Sequence, residues 1–511
     1  MKNAVQLITY VDRLSGGGFA ELTALLKGPL HGLFGGIHVL PFFDAIDGAD
    51  AGFDPRDHTR VDPRLGDWGD VAALAAEADV MADVIVNHIS RDSPQFRDFL
   101  ANGAASPFAH LFLTRDRVFP GGATDAELRA IYRPRPGAPF TEMTFGDGSR
   151  RHLWTTFTPS QIDIDVTHAC GQEYVDSILG KLAANGVRIV RLDAVGYTVK
   201  KRGTSCFMIP ETYALIADLT QRVRALGMET VVEIHSHYLK QIEIARHVDW
   251  VYDFALPPLV LHAFAFGTAR PLAHWLRVRP QNALTVLDTH DGIGIVDIGA
   301  EPGAAGKPGL VPPRELDGLV ERIHAASGGT SRIATGAAAS NLDLYQVNCT
   351  FYDALARDDR DYLLARAIQF FTPGVPQVYY VGMLAGENDV ELLRRTGVGR
   401  DINRHYYERG EVDAALERPV VRNLCALIRL RNAHPAFGGE FSSDCPRDSE
   451  LVMRWRNGAE RAELRVDFES RDYALAISEA GTLRSLDLAA LEAGLRAPRG
   501  APMGAWRGTN C

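Results

Sequence analysis

Three carboxylates stand at the ends of short apolar runs: Asp193 closes VRIVRLD (Val187 to Asp193), Glu233 lies in TVVEIH (Thr230 to His235), and Asp291 closes ALTVLDTHD (Ala283 to Asp291). Side chains alternate along an extended run, so Arg191 and Asp193 share one face while Val190 and Leu192 turn to the other. A guanidinium within a few ångströms favours an ionised carboxyl, the form an attacking carboxylate needs. Taken alone, the pair reads equally well as an internal salt bridge. Glu233 and His235 share a face by the same alternation, behind Val231 and Val232, and a carboxyl in that apolar setting tends toward the protonated form that a general acid requires. Neighbouring strands lie about 4.8 Å apart. Retaining glycosidases hold their two carboxyls about 5 to 5.5 Å apart and inverting ones about 6.5 to 9.5 Å, so carboxyls on adjacent strands favour retention through a covalent glycosyl-enzyme bond. Asp291 is suited to stabilise positive charge developing on the sugar ring and to hold two of its hydroxyls. His290 stands beside it, and His88, at the end of MADVIVNH, reads either as a sugar contact or as a strand-end cap.

The runs that carry these residues predict the scaffold. QLITY (Gln6 to Tyr10), GIHVLP (Gly36 to Pro41), MADVIVNH (Met81 to His88) and VRIVRLD precede TVVEIH, WVYDF (Trp250 to Phe254), ALTVLDTHD and GVPQVYYVG (Gly374 to Gly382). Strand-like runs alternating with amphipathic stretches imply parallel strands joined by crossover helices, and eight of them imply a (β/α)8 TIM barrel of the α/β class, with chemistry at the C-terminal strand ends. One helix is expected from Glu211 to Gly227 with Leu215, Leu219, Val223 and Leu226 on its buried face. Another carries Val175, Ile178, Leu179 and Leu182 and ends at Asn185-Gly186. Two gaps are too long for simple crossovers and read as inserted loop subdomains, residues 88–167 and 293–355, dividing the barrel into 1–87, 168–292 and 356–436. Alternating segments such as LVMRWR (Leu451 to Arg456) predict a small β-domain over 437–511.

The 511 residues are 46% apolar, and 54 Lys plus Arg against 64 Asp plus Glu leave a net charge of −10. That surface offers no footprint for nucleic acid or an anionic membrane and suits small neutral substrates. Cys170, Cys206, Cys349, Cys425, Cys445 and Cys511 lie far apart and read as reduced thiols, which places the chain in the cytoplasm. The candidate ligands match no closed zinc spacing, so no metal and no cofactor is expected.

In order, DVIVNH, VRIVRLDAVG, VVEIH and VLDTHD resemble the four signature regions of the alpha-amylase superfamily. The resemblance implies that Asp193 is the nucleophile, Glu233 the acid/base and Asp291 the transition-state stabiliser, with Arg191, His88 and His290 around the glucose ring. Within that superfamily ADAGFDPRDH, RLDAVGY, GTSCF, FALPPL, IYRPRPG, ASNLDLYQVN and GRDINRHYY are similar to the sucrose phosphorylase family. By that resemblance Asp50 and Arg400 clamp glucose hydroxyls, Phe53 and Phe157 form apolar walls, and Gln161 joins the glucose set. Arg135, Tyr197 and His235 resemble the phosphate ligands, Tyr132, Asp343 and Gln346 the fructose contacts, and Leu344 and Tyr345 belong to the same acceptor loop. Asp343 and Tyr345 are expected to exchange places between the fructose and phosphate stages, because a carboxylate that binds fructose opposes a phosphate dianion in the same space. The implied partners are sucrose, inorganic phosphate, fructose and α-glucose 1-phosphate, with no nucleic acid and no membrane; a homodimer is the assembly this reading admits. Related phosphorylases act on sucrose 6'-phosphate, glucosylglycerol or glucosylglycerate, and the RPRPG and NLDLYQ loops favour unmodified sucrose. The sequence departs from the family pattern at His237, where an aromatic residue is expected.

Overall fold

Eight short parallel strands close on one another in a computed structural model that describes residues 1–44, 50–134, 137–301, 307–337, 346–479 and 481–496. They are β1 (Gln6–Thr9), β2 (Gly36–Val39), β3 (Asp79–Ile85), β4 (Ile189–Asp193), β5 (Glu229–Val232), β6 (Trp250–Asp253), β7 (Ala283–Thr285) and β8 (Val375–Tyr379), and each pairs with its sequence neighbours until β8 returns to β1. Nearly every strand residue is buried, because helices cover the outside and side chains fill the inside. This is why the runs read as continuously apolar. All eight predicted runs hold a strand, several of them shorter than the run.

Two crossover helices show how the sequence positions the strands. The helix α1 (Ala169–Ala184) buries Val175, Ile178, Leu179 and Leu182 and ends at Asn185, with Gly186 at φ 82° reversing the chain into β4. The helix α2 (Pro210–Ala225) opens with a proline at its first turn and is followed by Gly227 at φ 76°. Its buried stripe is Thr212, Ile216, Leu219, Thr220 and Val223, not the predicted row through Leu215 and Leu226. The helix stops at Ala225, so Leu226 leaves the helical phase and is 44% exposed.

Polar side chains are buried among the apolar ones of the barrel strands. Gln377 donates to Gln6 at 2.8 Å, His38 meets Asp83 at 2.9 Å, and Asp83 in turn meets Arg191 at 2.5 Å. Burial works against the Asp83 charge, yet His38 and Arg191 outweigh it and hold the carboxyl down at about 2.

The long connection between β3 and β4 is tied to the barrel by one buried ammonium. Lys200 Nζ donates to Asp163 Oδ2 (2.7 Å), Asn87 Oδ1 (3.0 Å), Thr156 Oγ1 (3.1 Å) and the Tyr197 carbonyl. Asn87 follows β3, Thr156 and Asp163 belong to the connection, and Tyr197 and Lys200 follow β4, so the cation joins three segments that border the site. Removing one partner of such a pair strands the other in the interior. Lys200→Met is therefore expected to lower apparent stability by about 3 to 5 kcal/mol in urea unfolding; an unchanged midpoint would show that the cation is dispensable.

At the far end of the chain an antiparallel sheet of five strands runs β9 (Glu440–Asp444), β10 (Glu450–Asn457), β11 (Glu460–Asp467), β12 (Tyr473–Glu479) and β13 (Thr482–Leu486), paired in sequence order. It docks on the barrel's outer helices, where Trp455 donates to the Phe371 carbonyl at 2.7 Å.

Candidate active site

The sequence RLDAVG makes a tight corner directly after β4. Asp193 is its last strand residue, and Ala194 follows with φ 51° and ψ 21°, a left-handed conformation that costs a residue with a Cβ. That turn aims the Ala194 N–H at Glu233 Oε2, 3.4 Å away. β5 ends at Val232, so Glu233 and His235 enter from the segment beyond the strand. Arg191 binds all three neighbours with one guanidinium: Nη1 lies 2.5 Å from Asp83 and 2.8 Å from Asp193, and Nη2 lies 4.0 Å from Glu233.

Arg191 is thus shared, and its pull on Asp193 is weaker than the sequence expectation of a lone pair implies. Burial pushes the Asp193 carboxyl up; Arg191 opposes this, and the charges of Glu233, Asp83 and Asp291 add to the rise. Asp291 goes the other way. Burial raises it, but Arg400 at 2.9 Å, His290, His235 and Arg404 together bring it well below the usual carboxylate range. Two buried carboxyls in one site, Asp193 and Asp291, are therefore driven in opposite directions by their neighbours.

The remaining predicted residues gather around this centre. Arg400 Nη1 also lies 3.7 Å from Asp50. Phe53 stacks on the His290 ring at 4.7 Å, and its carbonyl meets His88 Nε2 at 2.9 Å. Burial holds both imidazoles neutral, His290 at about 3. Phe157 lies against His88 (5.3 Å) and Tyr197 (5.1 Å). Gln161 is buried on a strand (Gln161–Asp163) that pairs with His88–Ser90, and its Oε1 accepts from Thr158. Tyr132 stacks on Phe207 at 4.5 Å and on Tyr197 at 6.2 Å, and burial lifts its phenol to about 12. Gln346 is half-buried on a two-residue strand paired with Ile293–Gly294. Arg135, Asp343, Leu344 and Tyr345 lie outside the described residues. At the departure from the family pattern, His237 caps the helix Tyr238–Ile244 through Nδ1 and meets the Pro308 carbonyl through Nε2 at 3.1 Å.

Three residues escaped sequence reasoning. Asp83 opposes Arg191 directly in the β3–β4 register, a pairing visible only once those strands are known to be neighbours. Arg404 donates through Nε to the His290 carbonyl at 2.9 Å, one helical turn beyond Arg400. Asp297, in GIGIVDIG, bonds His235 at 2.8 Å and carried no signal at all. Glu233, His235 and Asp291 offer ligand atoms within 4.8 Å of one another and so could hold a metal ion. Arg400 on Asp291 and Asp297 on His235 already engage two of the three.

Residues 32–245 match the model of the alpha-amylase catalytic domain. The chain is 62% identical over 468 residues to a sucrose phosphorylase of Agrobacterium vitis, covering 92% of this chain and 96% of that protein. The chain belongs to the sucrose phosphorylase family. A sucrose phosphorylase of Bifidobacterium adolescentis is 55% identical, with 91% of this chain and 92% of that protein covered. The crystal structure of the sucrose 6F-phosphate phosphorylase from Thermoanaerobacter thermosaccharolyticum superposes with a TM-score of 0.86 at 36% identity, over 95% of this chain and 98% of that one. Membership in the sucrose phosphorylase family accounts for the fold described above: a closed eight-stranded parallel barrel followed by an antiparallel sheet. No helix among the described residues is long and apolar enough to cross a membrane.

Proposed function

We propose that this protein is a sucrose phosphorylase, transferring glucose from sucrose to inorganic phosphate with retention of the α configuration. The observation that carries the mechanism is the guanidinium of Arg191, which gathers Asp193 and Glu233 at the ends of adjacent strands. In this reading Asp193 attacks the anomeric carbon while Glu233 protonates the departing fructose oxygen, giving a β-glucosyl enzyme. Monohydrogen phosphate then attacks the same carbon, its proton passes to Glu233, and the bond to Asp193 breaks to release α-glucose 1-phosphate. Both carboxyls are then back in their starting states.

Asp291 stays charged between Arg400 and Arg404 and opposes the positive charge that develops on the ring. Asp50 and Arg400 take glucose hydroxyls, His88 and His290 donate as neutral rings, and Gln161, Phe53 and Phe157 complete the pocket. Tyr132, Tyr197, His235 and Gln346 are read as the acceptor side, and the family resemblance assigns Arg135 and residues 343–345 to it as well. An imidazole beside the acid/base and two phenols suit a phosphate dianion better than water, which supports phosphorolysis over hydrolysis. The five described cysteines are free, in keeping with a cytoplasmic enzyme.

The test is to supply purified protein with sucrose, with and without phosphate, and follow α-glucose 1-phosphate and free glucose together. Phosphate-dependent α-glucose 1-phosphate with little free glucose is expected. Free glucose at a rate indifferent to phosphate would mean a hydrolase, and turnover only of sucrose 6'-phosphate or glucosylglycerol would reassign the acceptor side.

A further inference from the structure

The imidazole of His235 is held on three sides. Its ring stacks on Phe254 with centroids 3.9 Å apart and planes 17° apart. Its Nδ1 lies 2.8 Å from Asp297 Oδ2, and its Nε2 faces Glu233 Oε1 at 3.7 Å, in the same cluster as Asp291. Asp297 is wholly buried and is fixed in turn: its Oδ1 accepts from the Ser236 N–H and from Gln241 Nε2, both at 3.0 Å. A carboxylate with two donors on one oxygen keeps the other for Nδ1–H, and this fixes the ring's orientation. Gly294 is part of the same construction, since a Cβ there would collide with Asp297 Oδ2 and come within 3.1 Å of His235 Nδ1.

We propose that Asp297 is a positioning residue for the acceptor step, holding His235 as a cation whose Nε2–H points at the incoming phosphate, and so favouring an anionic acceptor over water. The inference rests on the phosphorylase reading and deepens it. A dianion entering this site meets the carboxylates of Glu233 and Asp291, and a cation beside them lowers the cost of its approach. Among the described residues, Asp297 faces the ring on one side, Glu233 and Asp291 on the other, and Phe254 on its plane. Burial disfavours a charged ring, but these three acidic groups outweigh it and raise the ring overall, with Asp297 the largest contributor among them.

Asp297→Asn tests this. Its amide keeps an oxygen for Ser236 and Gln241 and turns its nitrogen to Nδ1, leaving a neutral ring that still donates through Nε2. The expected result is a KM for phosphate raised about tenfold or more, with the KM for sucrose within about twofold of the parent and a larger share of glucose released by water. The pH profile adds a readout that a loosened fold would not produce. A raised ring is charged below its folded pKa and loses that charge as pH rises through it, so phosphate affinity in the variant should fade at lower pH than in the parent, by about one unit or more. Gly294→Ala, which displaces the carboxylate without removing it, should shift phosphate KM in the same direction and serves if the first variant does not fold. Phosphate KM and its pH dependence unchanged, or phosphate and sucrose KM rising together, would overturn the role of Asp297. A parent enzyme that makes no α-glucose 1-phosphate would remove the phosphorylase reading, and this inference with it.

Discussion

Asp193→Asn lowers kcat on sucrose by about 10⁴- to 10⁶-fold, the scale of deleting a covalent nucleophile. The substitution conserves shape and leaves Arg191 its 2.5 Å contact with Asp83, so the barrel interior keeps a paired guanidinium and the thermal midpoint stays close to the parent's. What disappears is the atom that bonds to the anomeric carbon. No other carboxyl replaces it: Asp83 is engaged by His38 and Arg191 on the strand before, and Asp291 is engaged by Arg400. Initial rates of fructose release, taken beside a thermal melt, decide the point. A loss of less than about a hundredfold in a folded variant would mean that the sugar departs without a covalent bond to this residue.

Glu233→Gln separates proton donation from bond formation. With sucrose the leaving fructose oxygen needs a proton, and losing its donor is expected to lower the rate about 10²- to 10⁴-fold. With α-glucosyl fluoride the leaving group departs without protonation, so the first step returns toward the parent rate. The amide oxygen of the substituted side chain still accepts from the Ala194 N–H that Glu233 engages at 3.4 Å, which keeps the corner after Asp193 in place. The two variants then differ in kind: the fluoride rescues Glu233→Gln and does nothing for Asp193→Asn. Equal loss on both donors would place the proton elsewhere.

The barrel was legible because its strands are buried on both faces and announce themselves as apolar runs, and the charged residues break those runs at the strand ends, where the site lies. Alternation put Arg191 beside Asp193 correctly, since both belong to β4. For Glu233 and His235 the grouping was right although the strand stops at Val232. The local helix pattern failed at Leu226 because periodicity does not reveal where a helix ends. The electrostatics of Asp193 were legible only in part: a sequence shows that Arg191 is near, and only the fold shows that Asp83 on the neighbouring strand shares it. Asp297 is the extreme case, a residue from the connection after β7 whose whole meaning comes from touching His235, 62 positions earlier in the chain.

Double displacement requires a glucosyl group bound to Asp193, and that intermediate can be caught. Glu233→Gln supplied with α-glucosyl fluoride and no phosphate should form the intermediate and release it slowly, because water lacks its base. Acid quenching, proteolysis and peptide mass measurement should find one glucosyl unit on the peptide containing Asp193, lost on adding phosphate as α-glucose 1-phosphate appears. A glucosyl unit on any other peptide, or continued turnover with no modified peptide, would contradict double displacement through Asp193.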